Sequence, residues 1–111
     1  MYEIFEKLCE NKGIKPYGVA KETGVSTATL TSWKQGKYTP KDEKLQKLAD
    51  FFGVSTEYLK TGKDSRFSDE NAELFAKIRT DDELTDAIKT YFTFPDNKKR
   101  HIIELIHLLN S

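Results

Sequence analysis

Glycine punctuation constrains this chain more than any other feature. Gly13, Gly24, Gly36, Gly53 and Gly62 each close a short run whose apolar residues recur at helical spacing. Such runs, ended by a residue suited to a helix C-terminus, predict small helices. The first is expected over Tyr2–Lys12, with Ile4, Phe5 and Leu8 on one face. The second starts near Pro16, a residue suited to a first turn. Ser26 caps a third over about 27–35. Pro40 opens a fourth, with Leu45, Leu48, Ala49 and Phe52 in helical register. Ser55 caps a fifth that carries Tyr58 and Leu59 and stops before Gly62. β-Branched residues are scattered and never alternate over a useful length, so no strand is expected.

The 111 residues suit one domain, or one small domain with an attachment. Seven Phe, five Tyr and one Trp are too many for a disordered chain. Residues 63–67 read as a linker between a domain at 1–62 and a helical region at 68–111. In that region Ser68 caps a helix with Leu74, Phe75 and Ile78. Thr80-Asp81-Asp82-Glu83 reads as a capping box that opens another. Phe94-Pro95-Asp96 breaks the chain before a last helix running to about Asn110. The expected fold is all-α, five helices followed by three.

One segment carries a tertiary requirement. In Pro16-Tyr17-Gly18-Val19-Ala20-Lys21-Glu22-Thr23-Gly24-Val25-Ser26-Thr27-Ala28-Thr29-Leu30-Thr31-Ser32-Trp33, two helices joined by a tight turn must approach closely. Ala20 supplies the small residue at the approach, and Gly24 the positive φ of the turn. Val25 plugs the corner and Ser26 restarts the helix. Val19, Leu30 and Trp33 fall on the inward face. Every local choice favours one geometry.

This segment resembles the helix-turn-helix of the phage-repressor-like regulators (the Cro/C1-type, or xenobiotic-response-element, family). Gly36-Lys37-Tyr38-Thr39-Pro40 is similar to the loop after that family's recognition helix. Leu45 through Leu59 is similar to its closing pair of helices. The resemblance covers about residues 2–62 and implies a five-helix, lambda-repressor-like DNA-binding domain. It further implies a dimer that places the recognition helix of each subunit in successive major grooves of double-stranded DNA, ~34 Å apart. The base-facing positions become Thr27, Ala28, Thr31 and Ser32. None can make the bidentate contacts of Arg to guanine or Gln to adenine. Readout is therefore expected through methyl contacts, single hydrogen bonds, water and DNA shape. Phosphate contacts are expected from Lys15, Tyr17, Lys34, Gln35, Lys37, Tyr38 and Lys41, and from backbone N–H groups of the loop. Pro16 removes one N–H donor from the start of the second helix. Cys9 and Lys34 replace an Arg–Glu ion pair common in relatives, so Cys9 is expected to be a small apolar packing residue. Gly18 costs up to ~1 kcal/mol inside a helix. It either lets backbone approach DNA or is tolerated drift.

Charge adds a distribution to this pattern. The chain holds 18 basic and 18 acidic side chains, which excludes a simple polycation. Residues 1–63 carry 11 basic against 8 acidic groups, and residues 64–111 carry 7 against 10. The single cysteine excludes an internal disulfide and a Cys-based zinc site. His101 and His107 point about 120° apart on a helix and cannot share a metal ion, so no metal and no cofactor are expected. Acids stand where a signal peptide would carry basic residues, and no apolar stretch reaches the ~20 residues of a membrane span. The expected compartment is the cytoplasm.

The last helix is unusually apolar. Ile102, Leu105, Ile106 and Leu109 form a stripe flanked by Ile103 and Leu108, an arc of about 220° where one-sided packing needs nearer 100°. These six residues are the expected dimer interface. Phe67, Phe75, Tyr91, Phe92 and Phe94 are expected in the core rather than around an effector pocket. The sequence thus points to a sequence-specific transcriptional regulator, a repressor acting as a dimer on a palindromic operator. The second reading is an antitoxin-like or anti-repressor module whose residues 68–111 bind a partner protein. An enzyme finds no support, because no P-loop, GxGxxG or nucleophile–His arrangement is present.

Overall fold

The structure, a computed structural model, describes residues 1–110. Ser111, the end of the expected C-terminal region, lies outside the described residues. Among these the chain is all-helical: α1 (Tyr2–Lys12), α2 (Pro16–Thr23), α3 (Thr27–Lys34), α4 (Asp42–Phe52), α5 (Thr56–Thr61), α6 (Asp69–Thr80), α7 (Asp82–Tyr91) and α8 (Asp96–Leu109). They divide into two compact units, one from Met1 to Asp81 and one from Asp82 onward.

The first unit closes around side chains from its helices. Phe5 and Leu8 of α1, Val19 of α2, Leu30 and Trp33 of α3, Leu45, Leu48 and Phe52 of α4 and Leu59 of α5 are all buried. Each buried Leu or Phe contributes roughly 1.5–3 kcal/mol. An aromatic chain threads this core. Trp33 meets Tyr2 edge-on at 5.4 Å and Phe5 at 5.6 Å, and Phe5 meets Phe52 at 5.9 Å between ring centroids. It ties α3 to α1 and α4. α4 begins two residues later than expected. Lys41 is its extended N-cap, Pro40 is buried ahead of it, and Asp42 and Glu43 occupy the first turn, where the helix dipole favours acids.

The expected boundary at residue 62 falls inside the first unit. Residues 63–67 fold back onto α5 instead of spacing two domains. The Ser65 N–H donates to a Glu57 carboxylate oxygen at 3.1 Å. Asp64 is buried and accepts from the Arg66 backbone N–H at 2.9 Å and from its guanidinium at 3.0 and 2.7 Å. These bonds hold the Asp64 carboxyl well below the usual carboxylate range. α6 then packs on α1 and α4 through Ala72, Ala76 and Thr80, which are buried. Leu74 is 55% exposed and Phe75 and Ile78 are half-buried, so the close face is the one with small side chains. The capping box is also not formed. Thr80 sits in the last turn of α6, its hydroxyl donates to the Ala76 carbonyl at 2.9 Å, and α7 starts at Asp82.

The second unit is the hairpin of α7 and α8. Among its described residues none is buried. The aromatic expectation is therefore corrected: Phe67, Phe75, Tyr91, Phe92 and Phe94 are half-buried or exposed. They pair locally, Phe67 with Phe75 and Tyr91 with Phe92, at 5.2 Å in each pair. Leu84, Ala87, Ile88, Tyr91, Ile102 and Ile106 line an apolar groove along the hairpin. No helix of the described residues is long and apolar enough to cross a membrane.

Candidate nucleic-acid interface

α2, the following turn and α3 form two helices that meet across a tight corner, as their residues require. Val19 and Ala20 are buried on the inner face of α2. Gly24 adopts φ 79°, and its N–H donates to the Ala20 carbonyl at 2.9 Å. That left-handed turn disfavours any residue with a Cβ. Val25 is buried just beyond it. The Ser26 hydroxyl accepts from the Thr29 N–H at 3.1 Å and starts α3. Leu30 and Trp33 turn inward and are buried. The remaining surface of α3 is thereby directed outward on a rigid support.

The residues expected to contact DNA lie on that surface and on the segments beside it. Thr27, Ala28 and Thr31 are exposed, whereas Ser32 is half-buried at the edge of the strip. Lys15, Tyr17, Lys34, Gln35, Lys37, Tyr38 and Lys41 are all exposed. Lys44, half-buried, brings its Nζ 6.0 Å from the centre of the Tyr38 ring. One expectation is corrected. The loop N–H groups of Gln35, Gly36 and Lys37 donate at 3.0 Å to the carbonyls of Thr31, Trp33 and Ser32. These three finish the helix, so N–H donation from the loop to a phosphate is left to Tyr38 and Thr39.

Charge sharpens at this site and weakens elsewhere. Cut at the boundary the structure sets, residues 1–81 hold 14 basic and 13 acidic groups, and residues 82–111 hold 4 and 5. The contrast between halves nearly vanishes. From Thr23 to Lys41, however, the chain has three lysines and no acid. The longest acid-free, lysine-bearing stretch is therefore α3 and its loop.

Two departures from the family pattern find a local setting. Cys9 is buried, and desolvation, followed by repulsion from Glu6 and Glu10, pushes its thiol up to about 12. The protonated, apolar form is the one held. Cys9 and Lys34 border one depression. At Gly18, a Cβ would come within 2.9 Å of Ile14 Cγ1. Ile14 packs against the core, so the glycine makes room for that side chain.

Known proteins agree with this segment. The sequence signature of the helix-turn-helix family matches residues 5–59. An uncharacterized HTH-type transcriptional regulator of Haemophilus influenzae is 44% identical over 48 residues, covering 43% of this chain and 20% of that relative. The chain thus spans about a fifth of the curated relative it matches. No solved structure matches it.

Proposed function

We propose that this chain, whose residues 5–59 match the helix-turn-helix family, is a transcriptional regulator that binds double-stranded DNA sequence-specifically as a dimer. The observation that carries this reading is the acid-free, lysine-bearing surface of α3 and its loop, fixed to the core by Leu30 and Trp33. Thr27, Ala28, Thr31 and Ser32 face the base edges. Lys15, Tyr17, Lys34, Gln35, Lys37, Tyr38 and Lys41 hold the backbone. Occlusion of a promoter at a palindromic operator makes it a repressor, working in the cytoplasm without catalysis.

Dimerisation rests on the second unit. A hairpin with no buried residue cannot be stabilised by its own core. Its apolar surface includes Ile103 at 44%, Leu105 at 46%, Ile106 at 60% and Leu109 at 87% exposure. Ile102 and Leu108 extend the same helix face. A second copy offers the same surface and can cover it isologously. A different protein bound there is the antitoxin-like alternative, and a partner captured through this unit while the free protein stays monomeric would favour it.

Reversing the charge at Lys37 and Lys41 tests the DNA reading. Lys37→Glu and Lys41→Glu are expected to weaken binding to every duplex alike. The slope of log affinity against log salt should flatten by about one for each phosphate that is no longer neutralised. Unchanged affinity and slope would remove α3 and its loop from the interface.

A further inference from the structure

Beside the outer surface of α3 lies an open depression lined by Tyr2, Pro16, Tyr17, Thr27, Leu30 and Thr31. Its walls come from the starts of α1 and α2 and from one face of α3. Of the seven residues around it, these six and Lys34, three carry rings, Leu30 is aliphatic, and the two threonines each bear a methyl group. Thr27 and Thr31 stand four residues apart, on the same side of the helix. Tyr17 is 73% exposed, an aromatic ring held in solvent next to the strip expected to meet bases. Pro16 has no N–H, so this part of α2 is poorly furnished to hold a phosphate.

Resting on the DNA-binding reading above, we infer that this depression recognises the C5-methyl group of a thymine in each half-site. Thymine is the one base that presents an apolar group in the major groove. An apolar recess beside base-facing positions that carry no bidentate donor, Thr27, Ala28, Thr31 and Ser32, can select it by burial. Tyr17 thereby moves from backbone contact to base recognition, and with Thr31 it sets the preference. Lys34, which also borders the depression, is free to hold the adjoining phosphate.

The test uses the full chain and an operator recovered by the protein from random duplexes. Each thymine is replaced singly by deoxyuridine, which removes the methyl and preserves base pairing. At one position per half-site the replacement is expected to weaken binding about fourfold, the equivalent of ~0.8 kcal/mol for one buried methyl. Replacement in both half-sites should weaken it about fifteenfold. Tyr17→Ser and Thr31→Ser alter exposed side chains, and Thr31→Ser retains the hydroxyl. Both variants should bind the thymine and uracil operators almost equally. An operator indifferent to every thymine methyl would overturn the inference while leaving DNA binding intact. So would variants that lose affinity equally for both operators, since the depression would then hold a backbone sugar. Failure to bind any duplex would overturn the functional reading and this inference together.

Discussion

Gly24 and Gly53 both sit at positive φ, 79° and 72°, yet their surroundings differ. Around Gly24 nothing lies within 4 Å of where a Cβ would stand. Gly24→Ala should therefore cost only the backbone penalty, ~1–2 kcal/mol. At Gly53 a Cβ would come 2.7 Å from the Arg79 guanidinium. That guanidinium is the far end of a flexible, exposed side chain and can swing aside, so Gly53→Ala should cost about the same ~1–2 kcal/mol in urea unfolding. A clearly larger cost at Gly53 that disappears in an Arg79→Ala background would show instead that the guanidinium is held in place. The turn at Gly24 was readable from its neighbours in sequence. The crowding at Gly53 was not, because Arg79 lies in a segment that reads as separate. Cys9 was legible as a packing residue from its lack of a charged partner, and its burial agrees.

At the scale of elements, capping and apolar spacing located the helices well. Ser26, Ser55 and Ser68 each accept a backbone N–H at the helix start they were expected to cap. Thr80 misled, because a hydroxyl can bond forward to cap a helix or backward to the carbonyl four residues earlier. Here burial against the core favours the backward bond. α6 misled in a second way. Large apolar residues are the usual sign of a buried face, but close helix approach selects small ones. Ala72 and Ala76, at 2% and 1% exposure, are that face. Ala76→Leu should overpack the contact with α1 and α4 and lower stability by roughly 1–3 kcal/mol. Leu74→Ala, at a mostly exposed site, should cost much less. Denaturant midpoints would check both, and the reverse order would contradict the packing described for α6.

The whole molecule is organised as a cored unit to Asp81 followed by a coreless hairpin. The division was only partly legible. Polar residues at 63–67 look like a spacer until Asp64 and Arg66 are seen to pair, and a side-chain pair two residues apart has no signature in composition. Cut at residue 81 rather than 63, the charge contrast between the two parts also nearly vanishes. The basic character belongs to α3 and its loop, a surface of few lysines. One such domain should bind duplexes weakly at physiological salt, and joining two multiplies affinity by effective concentration. Ile106→Asp, at an exposed residue of the hairpin, should yield a folded monomer in sedimentation equilibrium. Operator affinity should then fall by roughly 100-fold or more. A folded dimer with unchanged affinity would place the interface elsewhere. Whether the protein reads DNA as a dimer is measured directly by selecting bound duplexes from random DNA with the full chain. A palindrome whose half-sites are centred one helical turn apart should be enriched. Recovery of no enriched sequence, or of a single unpaired half-site, would contradict dimeric binding.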